Sequence, residues 1–282
     1  MRSMDWVSRT GVRLWACVLI GAVSWECAVA DQTVRVVSWN VETVGTPGSA
    51  QYDSTVDILA RIDANLVAIS EVASAADADA LMDLAFDLGY LYTSIAPAGP
   101  FGALRNAILS DYPITWETSW SAADLSDDAL ANDLTRYLQE TVVDITDVGD
   151  PLRVVSVHLK SGSANTDEYR RAIEAVRMGQ VAQHPIGGND PIVMMGDLNA
   201  DTRDDPQTPA VFTSEPSGLP TDFVTGADIR ARLAGDGLVN DPFLYLKPHV
   251  VILDAEQLDG EVALVPHHFD RASEQGRNRI DT

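Results

Sequence analysis

The sequence predicts one α/β domain in which buried strands alternate with helices and carry polar residues at their carboxyl ends. Three stretches support that reading. Residues 191–201 (PIVMMGDLNAD) open with an unbroken apolar run, as in a strand buried on both faces, and end in Asp197, Leu198 and Asn199. Residues 66–70 form a second apolar run that ends at Glu71. Residues 75–88 have the composition and spacing of a helix, and Gly89 closes it. At 282 residues, 46% hydrophobic and 22% charged, the chain has the length and apolar content for a sizeable core.

The amino terminus stands apart from that domain. Arg2, Arg9 and Arg13 precede an apolar run over 14–23, and Ala28 and Ala30 supply small residues at the minus-three and minus-one positions of a cleavage site. This layout predicts a secretory signal peptide over residues 1–30, with residues 31–282 as the mature domain. The run is short for a membrane span, so no stable insertion is expected after cleavage, and the protein is expected to be secreted or periplasmic. Both cysteines, Cys17 and Cys27, lie in the leader, so the mature domain is expected to depend on its core or on metal binding instead of disulfides. The formal net charge is −23, and the lysines are Lys160 and Lys247 alone. A field of that sign repels polyanions at long range and argues against tight non-specific nucleic-acid binding, though salt screening leaves transient turnover of phosphoesters open.

The mature chain begins with a strand over 34–39 that delivers Asn40. A loop over 41–54 precedes a helix carrying Val56, Leu59 and Ile62, with Ser54 as its expected N-cap. The strand at 66–70 and the helix at 75–88 follow. Strands are expected over 90–95, 103–110 and 114–120, broken by Pro- and Gly-containing turns, and 124–133 reads as an acidic loop or short helix. Residues 136–145 and 152–158 form an antiparallel pair, the second strand ending at His158. An amphipathic helix over 167–183 carries Arg170, Arg171 and Arg177 and leads to the strand at 191–197. Residues 202–248 are rich in Pro, Gly, Asp and Thr, and an insertion that long beside a site is more often functional than idle. Short strands are expected at 250–253 and 262–265.

Polar groups therefore end four strands: Asn40, Glu71, His158, and Asp197 with Asn199. If strand geometry continues past Asp197, its side chain and that of Asn199 point the same way. Read alone, the GDxN stretch is equally a turn in which both side chains bond nearby backbone. Carboxylate and carboxamide oxygens suit a hard cation, Mg2+ or Mn2+, and no Cys cluster or HExxH pattern favours zinc. His184, His249 and the pair His267–His268 read as structural or surface groups.

The segments SWNVE (38–42), SEV (70–72), ILSDYPI (108–114), SVHLKSG (156–162), MGDLNAD (195–201) and RID (279–281) occur in the order found in the endonuclease/exonuclease/phosphatase superfamily, which the chain resembles over nearly all of residues 33–282. That superfamily includes pancreatic-type deoxyribonucleases, abasic-site endonucleases, bacterial sphingomyelinases and inositol-polyphosphate phosphatases. The resemblance implies a four-layered α/β-β/α sandwich, two mixed sheets face to face with helices outside. It also implies roles. Glu71 and Asn40 would bind the metal; Asp197 would orient or deprotonate water, and Asn199 would hold that water and the phosphate. His158 would bond a phosphoryl oxygen or act on the leaving group, and Asp281 would pair with a general acid/base histidine. Asn106 and Arg136 fall where relatives place polar groups near the phosphate, and Lys160 reads equally as the cap of a turn or as a phosphate contact.

Relatives continue past the RID strand into a segment with an Asp-His pair, whereas this sequence stops at Thr282. The expectation is that the last strand and its Asp-His segment are missing and that the 282-residue chain is poorly active alone. The function expected is a secreted, Mg2+-dependent phosphodiesterase acting on nucleic acid. The alternatives are a lipid or small-molecule phosphodiesterase or phosphatase, and an inactive metal- or phosphate-binding remnant.

Overall fold

The computed structural model describes residues 17–20, 25–29, 32–145, 151–184, 190–199, 215–235, 245–246, 251–254, 258–259 and 262–263; for 17–33 and 251–263 the description is of backbone alone. In chain order the strands are β1 (Cys17–Ile20), β2 (Trp25–Val29), β3 (Gln32–Asn40), β4 (Leu66–Val72), β5 (Tyr92–Ile95), β6 (Arg105–Ser110), β7 (Ile114–Trp120), β8 (Leu138–Val143), β9 (Leu152–His158), β10 (Ile192–Asp197), β11 (Val251–Asp254), β12 (Leu258–Asp259) and β13 (Val262–Ala263). The helices are α1 (Ala50–Ile62), α2 (Ala75–Leu88), α3 (Asn165–Gln183) and α4 (Ala227–Gly235), with one 3-10 turn at Ala123–Leu125.

Two mixed sheets carry the fold. One runs β2-β3-β4-β6-β5, with β3 and β4 parallel and the other neighbours antiparallel. The other runs β11-β1-β10-β9-β8-β7, parallel from β11 to β9 and antiparallel beyond. Period-two alternation sorts each strand between two cores. Val36, Leu66, Ala68 and Ile108 of the first sheet meet Val143, Val154, Val193 and Met195 of the second, forming the layer between the sheets. Val37, Val67, Ile69 and Leu109 point the other way, under Tyr52 and Leu59 of α1 and Leu81 and Leu84 of α2. Val155, Val157 and Met194 likewise pack under Tyr169, Ile173 and Met178 of α3 and Ile229 and Leu233 of α4. The result is the expected four-layered sandwich. Each buried Leu, Ile or Val contributes roughly 1.5–3 kcal/mol, so the three apolar layers dominate its stability.

Several boundaries differ from expectation. The first helix begins earlier, because Ser49 and not Ser54 caps it, accepting from the Tyr52 N–H. The Gly89 terminus of α2 falls where expected, and Ser74, accepting from the Asp77 N–H, caps its start. The segment 202–248 contains α4, whose Ile229 and Leu233 complete the core beneath it. Residues of the expected leader also form strands: β2 lies antiparallel on β3 as the edge of its sheet, and β1 sits between β10 and β11, paired on both sides. The β3 edge is one that any extended backbone can extend, which gives the β2 pairing its physical basis.

Candidate active site

Parallel pairing sets the geometry of the site. Strands β3 and β4 run side by side with Asn40 opposite Ser70, one residue before Glu71, and β9 and β10 run side by side with His158 opposite Asp197. Stacking the two sheets brings both pairs of carboxyl ends together. Asn40 Nδ2 donates to Glu71 Oε1 at 3.0 Å and to Asp197 Oδ2 at 3.1 Å. The His158 Nε2 atom lies 3.6 Å from the same Glu71 oxygen and 3.9 Å from the same Asp197 oxygen. Four side chains from four strands thus converge on one point.

Local backbone departures aim them. Glu71 does not end β4; it sits at φ 66° where the register of β4 against β6 shifts between Ile69 and Val72. A non-glycine residue in that region is strained, and such strain concentrates at functional sites. At Gly196 (φ 150°) a Cβ atom would stand 1.7 Å from the Val157 carbonyl oxygen, so only glycine lets β10 lie this close to β9. Strand geometry stops at Asp197, and Asn199 turns back at φ 50°. Asp197 Oδ1 accepts from the Asn199 N–H at 2.8 Å, and Asn199 Nδ2 donates to the Leu159 carbonyl at 2.9 Å. The two side chains therefore do not run parallel as the sequence suggested. Asn199 pins Asp197 in place and ties the ends of β9 and β10 together.

His158 is only 2% exposed, and neither ring nitrogen has a hydrogen-bond partner among the described residues. Two carboxylates nearby would favour the imidazolium. Burial and the charge of Arg136 outweigh the pull of Asp197, and the pKa falls to about 3. At neutral pH the ring is uncharged, with one nitrogen able to donate and the other to accept.

Among the described residues no group of three or more His, Cys, Asp or Glu side chains is arranged to hold a metal ion. The donor chemistry nonetheless fits a hard cation. The Glu71 and Asp197 carboxylates are partly exposed, at 23% and 30%, and such a cation is commonly held by one or two carboxylates with waters filling its shell. Asn40 turns its nitrogen to both carboxylates and gives its Oδ1 to the Glu42 N–H at 3.1 Å. In this arrangement its N–H groups steady the two acids, and its oxygen is engaged by the Glu42 N–H and not turned to a cation between them.

The expected phosphate contacts divide. Asn106 is fully buried and its Nδ2 donates to the Tyr137 carbonyl, which ties β6 to the start of β8. Arg136 donates through Nη1 to the Leu159 carbonyl at 3.1 Å and the His158 carbonyl at 3.5 Å, bracing the end of β9. Lys160 pairs with Asp167 at 2.9 Å. Asp281 lies outside the described residues, as do His249, His267 and His268. The sequence reading missed Glu174, a fully buried carboxyl that accepts from the Thr135 N–H, the Thr135 hydroxyl and the Lys160 N–H and so holds the loop beside His158. Its burial raises its pKa against those hydrogen bonds.

No curated protein matches the chain. A crystal structure of an endonuclease/exonuclease/phosphatase from Beutenbergia cavernae superposes with a TM-score of 0.45 at 18% identity, over 72% of this chain and 53% of that one. Truncated TDP2 from Caenorhabditis elegans gives 0.44 at 16%, over 65% and 66%. Sphingomyelinase C from Streptomyces griseocarneus gives 0.42 at 18%, over 60% and 65%. The chain thus spans between about half and two thirds of the length of these proteins. Residues 37–253, which include Asn40, Glu71, His158, Asp197 and Asn199, match the model of the Endonuclease/Exonuclease/phosphatase family, whose members hydrolyse phosphoesters and generally depend on a divalent metal. The chain belongs to that family.

Proposed function

We propose that this chain hydrolyses phosphodiester bonds with Mg2+ or Mn2+, acts outside the cytoplasm after export, and takes nucleic acid as its substrate. The observation that carries this reading is the meeting of four side chains across two sheets, with Asn40 and His158 each 3.0–3.9 Å from both the Glu71 and the Asp197 carboxylates. Glu71 and Asp197 would hold the cation, with Asn40 keeping their oxygens together. When bound, the cation would polarise a phosphoryl oxygen and offset the charge that develops on attack.

The protein's own groups supply the rest. Asp197, fixed through Oδ1 by the Asn199 N–H, has its Oδ2 side turned to the cleft, where it can orient a water for in-line attack and accept its proton. His158, uncharged and buried, can donate from one nitrogen to a phosphoryl oxygen as negative charge builds there. Its burial keeps that donor out of competition with bulk water. Export would bring the enzyme to extracellular DNA or RNA.

A second reading rests on the net charge of −23, which opposes a polyanionic substrate and favours a lipid or small phosphodiester. The test sets plasmid nicking beside phosphate-headgroup release from sphingomyelin and phosphatidylinositol phosphate, each with and without EDTA. Nicking that EDTA and Glu71→Ala both abolish supports the nuclease reading; headgroup release with intact plasmid replaces it by the second. Phosphate binding without cleavage of any substrate would identify a binding remnant and overturn both.

A further inference from the structure

Arg170 of α3 is buried, 7% exposed, with its guanidinium 4.7 Å from the centre of the Phe101 ring and 5.1 Å from that of Phe223. The two rings hold the cation in place but accept no conventional hydrogen bond. Its Nε and Nη2 atoms are buried and have no hydrogen-bond partner among the described residues. Leaving charged donors unsatisfied in the interior costs more than leaving neutral ones, so this arrangement calls for an acceptor. Of the carboxylates whose charge acts on it, Asp222 makes no hydrogen bond to it, and the other two are already engaged. Glu174 gives both oxygens to Thr135 and the Lys160 N–H, and Asp167 pairs with Lys160. Among the described residues no carboxylate forms an ion pair with this cation.

The same arginine lines a cavity of about 160 Å3 together with Arg136, Lys160, Thr135 and Phe101. Arg136 reaches from that cavity to the carbonyls of His158 and Leu159, so the cavity adjoins the catalytic cluster. Three cations therefore face one small space beside the site where the scissile phosphate would lie. We propose that this cavity is a second anion subsite, in which Arg170 receives a phosphoryl group flanking the scissile linkage of the substrate. The inference deepens the proposed phosphodiesterase function and rests on it for the identity of the anion, whereas binding of the anion itself does not require turnover.

Two measurements separate these claims. Inorganic phosphate is titrated calorimetrically into the full chain in EDTA, using wild type, Arg170→Met, which fills the slot between the rings without charge, and Arg170→Lys. Wild type is expected to bind one phosphate, and Arg170→Met to weaken binding roughly 10- to 100-fold, the range for losing hydrogen bonds to a charged group. Arg170→Lys, which keeps the charge but not the fork of donors, is expected to fall between, so the series remains readable if Arg170→Met does not fold. The subsite is overturned if the folded variants bind phosphate as wild type does, or if wild type binds none. In the kinetic arm, KM is compared for a dinucleotide with and without a 5′-phosphate. Wild type is expected to favour the phosphorylated form, and the KM ratio is expected to collapse toward one in the Arg170 variants. Cleavage of both with an unchanged ratio overturns the flanking-phosphate role and leaves the phosphodiesterase reading intact. Arg170-dependent phosphate binding without cleavage of either dinucleotide supports the subsite and counts against the nuclease reading.

Discussion

Asn40 and Asp197 lie 157 positions apart in sequence and end strands of different sheets, yet the Asn40 amide donates to the Asp197 carboxylate at 3.1 Å. That bond is the polar seam between the two sheets at the site, since the same nitrogen also holds Glu71. Its removal sets the two carboxylates free to repel. Asn40→Ala is expected to lower divalent-cation affinity by roughly 10- to 100-fold, the cost typical of deleting a group that orients metal ligands. Manganese binding followed by electron paramagnetic resonance checks this. Asn40→Asp should instead destabilise the metal-free protein at neutral pH and regain stability on adding Mg2+. Unchanged manganese affinity in Asn40→Ala would remove Asn40 from the site.

Glu71 pairs a functional carboxylate with an unfavourable backbone, φ 66°. An L-residue in that region costs on the order of 1 kcal/mol. Glu71→Gly should therefore be more stable than Glu71→Ala by about 1 kcal/mol, because both lose the carboxylate and only glycine relieves the strain. Both should lose turnover. Urea midpoints of the two variants in EDTA measure the difference, and equal midpoints would mean that the bulge stores no strain.

Burial lowers the His158 pKa from 6.5 to about 3. Between those values the unfolded chain carries the proton and the folded chain does not, so the metal-free protein loses stability as pH falls from about 6.5 toward 3. His158→Asn should be less sensitive to acid than wild type across that window. Urea midpoints at pH 7 and pH 5 in EDTA, for wild type and variant, give the comparison. A wild-type midpoint no more acid-sensitive than that of His158→Asn would show that the ring is not held neutral by the fold.

Much of this arrangement was legible in the sequence where a local signal carried it. The Gly89 terminus closes α2 as read, because capping chemistry is local. The Asn40, Glu71, His158 and Asp197 strand ends were visible because a polar residue closing an apolar run is conspicuous. What remained hidden depends on distant partners. Arg177 reads as the charged face of a helix, yet it is fully buried and bonded through Nε and Nη2 to both oxygens of Asp133 at 2.9 and 2.8 Å. Arg170 and Glu174 were hidden for the same reason, since helical periodicity cannot show that a charge faces a buried partner or a cavity. The position of Asn106 along β6 gave no sign that its side chain is fully buried. The left-handed backbone of Glu71 had no glycine to announce it.

Gly196 pairs with Val157 in the β9–β10 register, one residue before Asp197 and His158 in their respective strands. A Cβ at this position would lie 1.7 Å from the Val157 carbonyl oxygen, and backbone cannot swing aside as a side chain can. Gly196→Ala must therefore push the two strands apart or tilt β10. Overpacking of this kind costs roughly 1–3 kcal/mol, which a domain with three apolar layers can survive. The functional penalty should be larger than the stability penalty, because the displaced residues are the pair whose oxygens and nitrogens must meet within a fraction of an ångström. Misplacement by about 1 Å is enough for a loss on the order of 100-fold in turnover. Circular dichroism well below the melting temperature should show a folded variant, while an EDTA-controlled phosphodiesterase assay shows the loss. Wild-type turnover in Gly196→Ala would mean that β9 and β10 tolerate separation and that the close approach at Gly196 does not position the site.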